Sequence, residues 1–232
     1  MWSKKYRIMV SVVWLVLVGG LIHVIAQGLS TSMASGHDPS PWEGRVPLVR
    51  EMDTDSLIGK GYQRTIFAGG CFWCMQAPFD RMKGVMITRA GYAGGTEKMP
   101  LYQDVAYGRT SHTEAVEVWY DPQLTSFGEL VEKYWQTMDP TDLGGQFADR
   151  GKQYRPVIFV MNLEERTIAE ASKTKLQASD RFNRPIVVPI ENYSTFYPAE
   201  EYHQFYYIKD ARAYKRYRIG SGREAFLNKT WK

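Results

Sequence analysis

Cysteine is scarce in this chain. Two stand in 232 residues, Cys71 and Cys74, three apart. There is no second CxxC pair, and the four histidines (His23, His37, His112, His203) are widely scattered, which argues against a zinc site. A bridge between the two cysteines closes so short a loop that it removes little unfolded-state entropy, worth about 2 kcal/mol. A purely structural disulfide is therefore poorly motivated, and redox chemistry is the better reading of the pair. Charge of one sign is also lacking. Lys and Arg total 29 and Asp and Glu 25, a net of +4 that is too modest to argue for nucleic acid. The one basic cluster, Arg212, Lys215, Arg216 and Arg218, reads as a solvated face. No internal repeat is visible.

Aromatic residues, in contrast, are plentiful at 14% of the chain, with seven Trp and fifteen Tyr, and hydrophobic residues make up 44%. This composition supports a packed core and an aromatic-walled pocket. The N-terminus is a different material. Lys4, Lys5 and Arg7 precede an uncharged run from Ile8 to Leu29 rich in Val, Leu and Ile. Its apolar part, about 18 residues, is long for a signal-peptide core and near the lower limit for a spanning helix. Val24-Ile25-Ala26 offers a cleavage pattern, but an uncleaved anchor is favoured. The absence of cysteine there excludes a lipoprotein anchor. Residues 1–30 are thus expected to be a signal anchor or signal peptide, 31–60 a flexible linker, and 61–232 a catalytic domain. The positive-inside bias places that domain outside the cytoplasm, in the periplasm, anchored or exported.

Periodicity organises the remainder. Arg64 to Ala68 reads as a buried strand, Cys71 to Met82 as a helix, and Val85 to Tyr92 as a second strand. A long glycine-marked loop runs from Gly91 through Tyr107, followed by a strand from Ala115 to Tyr120. Ser126 and Glu129 make a capping box for a helix through about Thr137. A second long loop spans Asp139 to Tyr154. Val157 to Met161 is a strand, Asn162 caps a helix to about Ala178, and Ile186 to Ile190 is a further strand. Tyr197 to Glu201 opens a short helix, and an aromatic, basic tail wraps the domain. Alternating strands and helices predict an α/β fold, an α+β two-layer sandwich with a mixed sheet and a ferredoxin-like core. Loops this long are usually functional.

Chemistry concentrates at Gly69-Gly70-Cys71-Phe72-Trp73-Cys74. A cysteine between a strand and a helix start faces backbone N–H groups and the positive end of the helix dipole, which favours a thiolate. Cys71 is therefore the expected activated thiol, with Cys74 a second thiol one turn on.

Gly-Cys-Phe-Trp-Cys-Met at residues 70–75 resembles the signature of the peptide methionine sulfoxide reductase A family. Four further blocks match in order: Gly91 to Gly95, Tyr102 with His112 to Val116, Asp149 to Arg155, and Phe196 to Gln204. Together they extend the resemblance from about Gln63 to Trp231. The resemblance implies thiol-dependent reduction of the S epimer of methionine sulfoxide, protein-bound or free, without a cofactor or metal. It implies Cys71 as nucleophile, Glu114 as acid, Tyr102 and Tyr154 as donors to the sulfoxide oxygen, and Asp149 as a supporting polar group. Phe72 and Trp73 would wall the substrate methyl. Many members carry resolving cysteines in the C-terminal tail, and this chain has none there, which leaves Cys74 as the resolving residue. A thioredoxin-like partner would then reduce the Cys71–Cys74 disulfide. Tyr197, Glu200, Glu201 and His203 are expected to be scaffold or supporting groups. Two competing readings use the same pair: an exported thioredoxin-like dithiol–disulfide oxidoreductase, and a tethered binding domain with a structural disulfide.

Overall fold

The computed structural model describes residues 54–193 and 195–231. The expected membrane segment and most of the expected linker lie outside them. Among the described residues, no helix is long and apolar enough to cross a membrane.

The first element is a helix, α1 (Thr54–Gly59), within the stretch expected to be a flexible linker. Leu57 is buried, and the chain turns after it, Gly61 N–H donating to the Ile58 carbonyl at 2.8 Å. One buried side chain holds this short helix, so no apolar periodicity announces it.

The β-α-β opening follows as expected: β1 (Gln63–Ala68), α2 (Phe72–Asp80) and β2 (Val85–Ala93). Helix α2 stops short of Met82, because the chain must reverse through Gly84, at φ 86°, to enter β2. Within the first long loop lies a short helix, α3 (Tyr102–Ala106), before β3 (Thr113–Tyr120). Ser126 caps α4 (Phe127–Trp135) through the expected reciprocal pair with Glu129. The second long loop folds into a small hairpin, β4 (Gly145–Gln146) and β5 (Asp149–Arg150), and a 3-10 turn over Lys152–Tyr154. Then come β6 (Val157–Val160) and α5 (Leu163–Gln177), whose Asn162 cap accepts from Glu165 N–H. The last strands are β7 (Ile190–Asn192) and β8 (Tyr197–Pro198), and a 3-10 turn at Glu201–His203 leads into the tail helices α6 (Tyr206–Lys209), α7 (Ala211–Gly220) and α8 (Arg223–Trp231).

Six strands form one mixed sheet in the order β7-β6-β1-β3-β2-β8. All its neighbours are antiparallel except β6 and β7. Strand alternation sorts the core. Phe67 of β1, Val116 and Val118 of β3, and Ile158 of β6 pack with Phe72, Met75 and Phe79 of α2 and with Leu130 and Trp135 of α4. Ile66, Ala68, Ala115, Val157 and Phe159 face the other side, where a smaller cluster forms with Phe196. On that second face Glu117 is buried and accepts from Arg64 at 3.3 Å, Arg89 Nε at 2.6 Å and Trp119 Nε1 at 2.9 Å. A buried carboxylate is tolerable only with such partners.

Two expected elements differ. The Val- and Ile-rich run from Ile186 to Ile190 is not a strand until its last residue. Pro185 precedes it and Pro189 lies within it, and neither can donate to a ladder, so Ile186 and Val188 are buried as extended rope, with Val187 N–H donating to the Pro140 carbonyl. Tyr197 and Pro198 form an edge strand against Gly91 and Tyr92, where the expected helix would begin. An edge is where a proline fits a sheet. The aromatic tail does cover the domain, as helices.

Candidate active site

Cys71 is the N-cap of α2. Gly70 before it has φ 84°, a conformation that glycine alone enters freely. A Cβ there would also lie 2.5 Å from Gln146 Cβ and 2.6 Å from a guanidinium nitrogen of Arg223. Two constraints therefore require glycine at the turn that aims Cys71.

Glu114 reaches the same spot from the sheet. It shares the face of Val116 and Val118 by strand parity and pairs in register with Tyr92. That places its carboxyl under the start of α2, where Oε2 accepts the Phe72 N–H at 3.0 Å. Glu114 is 2% exposed. Burial pushes its carboxyl up to about 8, against the pull of the Phe72 hydrogen bond. It is a neutral acid at pH 7 rather than a solvated strand position.

The expected helix-start activation of Cys71 is corrected by this arrangement. The first free N–H of α2 serves Glu114, and the Cys71 sulfur makes no capping hydrogen bond. Burial pushes the Cys71 thiol well above its ordinary value, and Cys74, Glu114 and Asp149 add to the shift. Cys74 moves the other way, down to about 7. Its hydrogen bond with Cys71 leads that shift, opposed by burial and assisted by Arg223 and Arg218. Both thiols are free and buried.

A cavity of about 110 Å³ opens on Cys71, lined also by Phe72, Trp73, Tyr102, Glu114, Asp149, Tyr154 and Tyr217. It has room for a few water-sized groups, at roughly 30 Å³ each. Seven of the eight expected site residues meet there, and Cys74 lies beneath, fully buried. Tyr102 arrives on α3, Asp149 on the small hairpin and Tyr154 on the 3-10 turn, so the two long loops deliver the polar wall. Burial pushes the phenols up, Tyr102 to about 12, and Tyr154 likewise, with Glu114 adding in both. They are donors at neutral pH. Burial also raises the Asp149 carboxyl, against its hydrogen bond from Tyr217.

Two contributors, Tyr217 and Gln204, escaped sequence reasoning, whereas Glu200 and His203 stand where supporting groups were expected. Tyr217, on α7, stands inside the run read as a solvated basic face. Tyr214 and Tyr217, three apart and both turned inward, were the available signal. Glu200 accepts Tyr92 O–H at 2.7 Å and Tyr102 N–H at 2.9 Å, so it fixes the start of α3. His203 accepts Trp73 Nε1–H on Nδ1 at 3.2 Å and lies 4.2 Å from the Tyr102 ring centroid. Burial lowers His203 to about 4, so it is a neutral brace between Trp73 and Tyr102. Gln204 bonds both backbone groups of Ala90, pinning the tail to β2. His112 is a loop hydrogen bonder, with Nε2 2.8 Å from the Glu97 carbonyl. Among the described residues, no three His, Cys, Asp or Glu side chains are grouped to hold a metal.

Comparison with known proteins agrees with this geometry. Residues 63–232 match the family described as Peptide methionine sulfoxide reductase. The chain is 52% identical over 176 residues to the peptide methionine sulfoxide reductase MsrA of Listeria innocua, covering 76% of this chain and 99% of that protein. It is 50% identical over 165 residues to the MsrA of Bacillus pumilus, covering 71% and 93%. Among solved structures, methionine sulfoxide reductase A of Corynebacterium diphtheriae is similar with a TM-score of 0.58 at 34% identity, covering 65% of this chain and 76% of that one. The reduced form of Mxr1 from Saccharomyces cerevisiae has a TM-score of 0.58 at 29% identity, covering 65% and 87%.

Proposed function

The chain belongs to the peptide methionine sulfoxide reductase family and is an oxidoreductase; from that premise we propose that it reduces the S epimer of methionine sulfoxide, in proteins or free, with Cys71 as nucleophile and Glu114 as acid. The observation that carries the reading is the shared cavity. A buried thiol, a carboxyl held neutral at pH 7 and two phenols line one small space.

The substrate methyl would sit against Phe72 and Trp73. Tyr102, Tyr154 and Glu114 would donate to the sulfoxide oxygen, which makes its sulfur electrophilic. Substrate binding supplies the driving force that the resting thiol lacks. As the Glu114 proton passes to the oxygen, positive charge develops on the sulfoxide sulfur and favours attack by the Cys71 sulfur. The S–O bond of the substrate breaks as the oxygen moves to Cys71. Methionine leaves, Cys71 becomes a sulfenic acid, and the proton of the Cys71 thiol replaces the one Glu114 gave. Asp149 and Tyr217 hold one another at the cavity edge.

The sulfenic acid is then resolved by Cys74 as a Cys71–Cys74 disulfide, which a thioredoxin-like partner reduces. Lys4, Lys5, Arg7 and the apolar run after them support an N-terminal membrane anchor that holds this chemistry outside the cytoplasm. The test is turnover of resolved S and R sulfoxides with dithiothreitol. Reduction of the S epimer alone is expected. Reduction of insulin disulfides without turnover of either sulfoxide would instead favour a general dithiol oxidoreductase.

A further inference from the structure

Arg223, the first residue of α8, is 1% exposed. Nη1 donates to the Thr137 carbonyl at 2.6 Å and Nη2 to the Gly69 carbonyl at 3.1 Å. The guanidinium carbon stands 4.7 Å from the centroid of Phe147, a residue at φ 57° in the turn between β4 and β5. The guanidinium also fills the space a side chain on Gly70 would need. One tail residue thus touches the turn that aims Cys71, the end of α4 and the hairpin that carries Asp149.

This cation has no carboxylate within ion-pair distance among the described residues. Its neighbour in sequence, Arg218, differs: it pairs with Glu224 at 3.2 Å and donates to the Tyr214 hydroxyl. A buried charge without a counterion is costly, and a nearby group that can become an anion is favoured in its charged form by such a cation. The groups facing Cys74 are its neighbour thiol Cys71, the acids Glu114 and Asp149, the phenols Tyr214 and Tyr217, and the cations Arg218 and Arg223. Glu114 is neutral at pH 7. Of the two cations, Arg223 acts on Cys74 the more strongly.

The geometry points to Arg223 as the positioning residue of the resolving step: it supplies the fixed positive charge for the Cys74 thiolate and clamps the Gly69-Gly70 turn so that this thiolate meets the Cys71 sulfur. The inference rests on the proposed reductase reading. In the step it serves, the Cys74 thiolate attacks the sulfur of the Cys71 sulfenic acid. The S–S bond forms, the S–O bond breaks, and the oxygen leaves as water after taking up one proton. Cys74 is oxidised and the sulfenic sulfur is reduced, with no outside reductant.

The experiment is rapid mixing of the reduced protein with excess methionine S-sulfoxide and no reductant. Methionine and disulfide are both followed in acid-quenched samples. Arg223→Gln should form the disulfide roughly 10–100-fold more slowly, with sulfenic acid accumulating, while methionine release, which does not use the Cys74 thiolate, slows at least tenfold less than the disulfide step. Arg223→Lys, which keeps the charge and loses the two-carbonyl fork, should recover part of the rate. In the unmodified protein, the disulfide step should rise with pH as the Cys74 thiol ionises and reach its plateau below the range of an ordinary thiol, because Arg223 and Arg218 favour the thiolate. That profile tests the idea even where Arg223→Gln does not fold. Parallel slowing of both steps in Arg223→Gln would reduce Arg223 to a structural clamp and overturn the inference. So would an unchanged disulfide rate, or a parent profile still rising above pH 8.5. A parent protein that releases no methionine sinks the reductase reading itself, and this inference with it.

Discussion

At the scale of single residues, the site opposes two burial effects. Burying Glu114 keeps a proton where, in the proposed reaction, the sulfoxide oxygen would need it, and burying Cys71 keeps its thiol protonated in the resting site. The acid acts in its protonated form, so the sulfoxide step should be flat at lower pH and fall as pH rises through about 8. Glu114→Gln keeps an acceptor for Phe72 N–H but has no proton to give. Its single-turnover rate should drop by roughly 10²–10⁴, with the upper pH limb lost. An unchanged rate would place the acid elsewhere. The same substitution should stabilise the fold. From about 4.5 to about 8 the unfolded chain has released the Glu114 proton and the folded protein has not, so stability declines as pH rises across that window. At pH 7 the cost is about 3 kcal/mol, and urea denaturation should show Glu114→Gln gaining up to that amount at pH 7 and little at pH 4. Cys74→Ser separates the half-reactions differently. Attack by Cys71 does not need it, so one equivalent of methionine should still form. Turnover with a thioredoxin-like protein should collapse, because such a partner needs a disulfide. Dithiothreitol, which attacks sulfenic acid directly, should sustain part of the activity. Full thioredoxin-supported turnover would remove Cys74 from the resolving role.

At the scale of elements, the turn before α2 is the most constrained joint. Gly70→Ala would force a side chain into φ 84° and against Gln146 Cβ at 2.5 Å. The backbone strain alone is about 1–2 kcal/mol. The expected outcome is a loss of at least about 2 kcal/mol in urea denaturation, with a fall in kcat as Cys71 swings off its aim. A variant of parental stability and kcat would show that the turn tolerates repacking. The sequence made the regular elements readable where local chemistry is self-sufficient. The Ser126–Glu129 and Asn162–Glu165 caps formed as read, because each closes within four residues. Strand parity likewise gives the face Glu114 occupies. What was not legible depends on distant partners. The Ile186–Ile190 run has strand composition, yet its prolines hand its backbone groups to Pro140 and Gln177. Arg223 reads as an ordinary surface cation until Gly69, Thr137 and Phe147 gather around it. The Cys71 thiol is raised rather than lowered because the fold buries it, while Glu114, forty-two residues from Phe72, claims the free N–H.

At the scale of the whole molecule, the resolving chemistry must be matched to a compartment. A Cys71–Cys74 disulfide renewed at every turnover would need a dedicated reductant wherever glutathione and thioredoxin do not keep thiols reduced. The proposed N-terminal anchor would set which side that is. Lys4, Lys5 and Arg7 precede an uncharged run from Ile8 to Leu29. Charges on the short segment before a first span are retained in the cytoplasm, and an apolar stretch of about 18 residues is near the shortest that spans a bilayer. The proposed catalytic residues all follow that run, so on this reading they should lie on the far side. A reporter active only in the cytoplasm, fused after Lys232, should therefore be silent, and one active only outside it should work. Replacing Lys4, Lys5 and Arg7 with Glu should weaken or invert this asymmetry, because the bias is carried by those charges and not by the domain. Cytoplasmic activity of the unmodified fusion would overturn the topology. It would also remove the need for an exported reductant, because the cytoplasmic thiol pool could then recycle the Cys71–Cys74 pair directly.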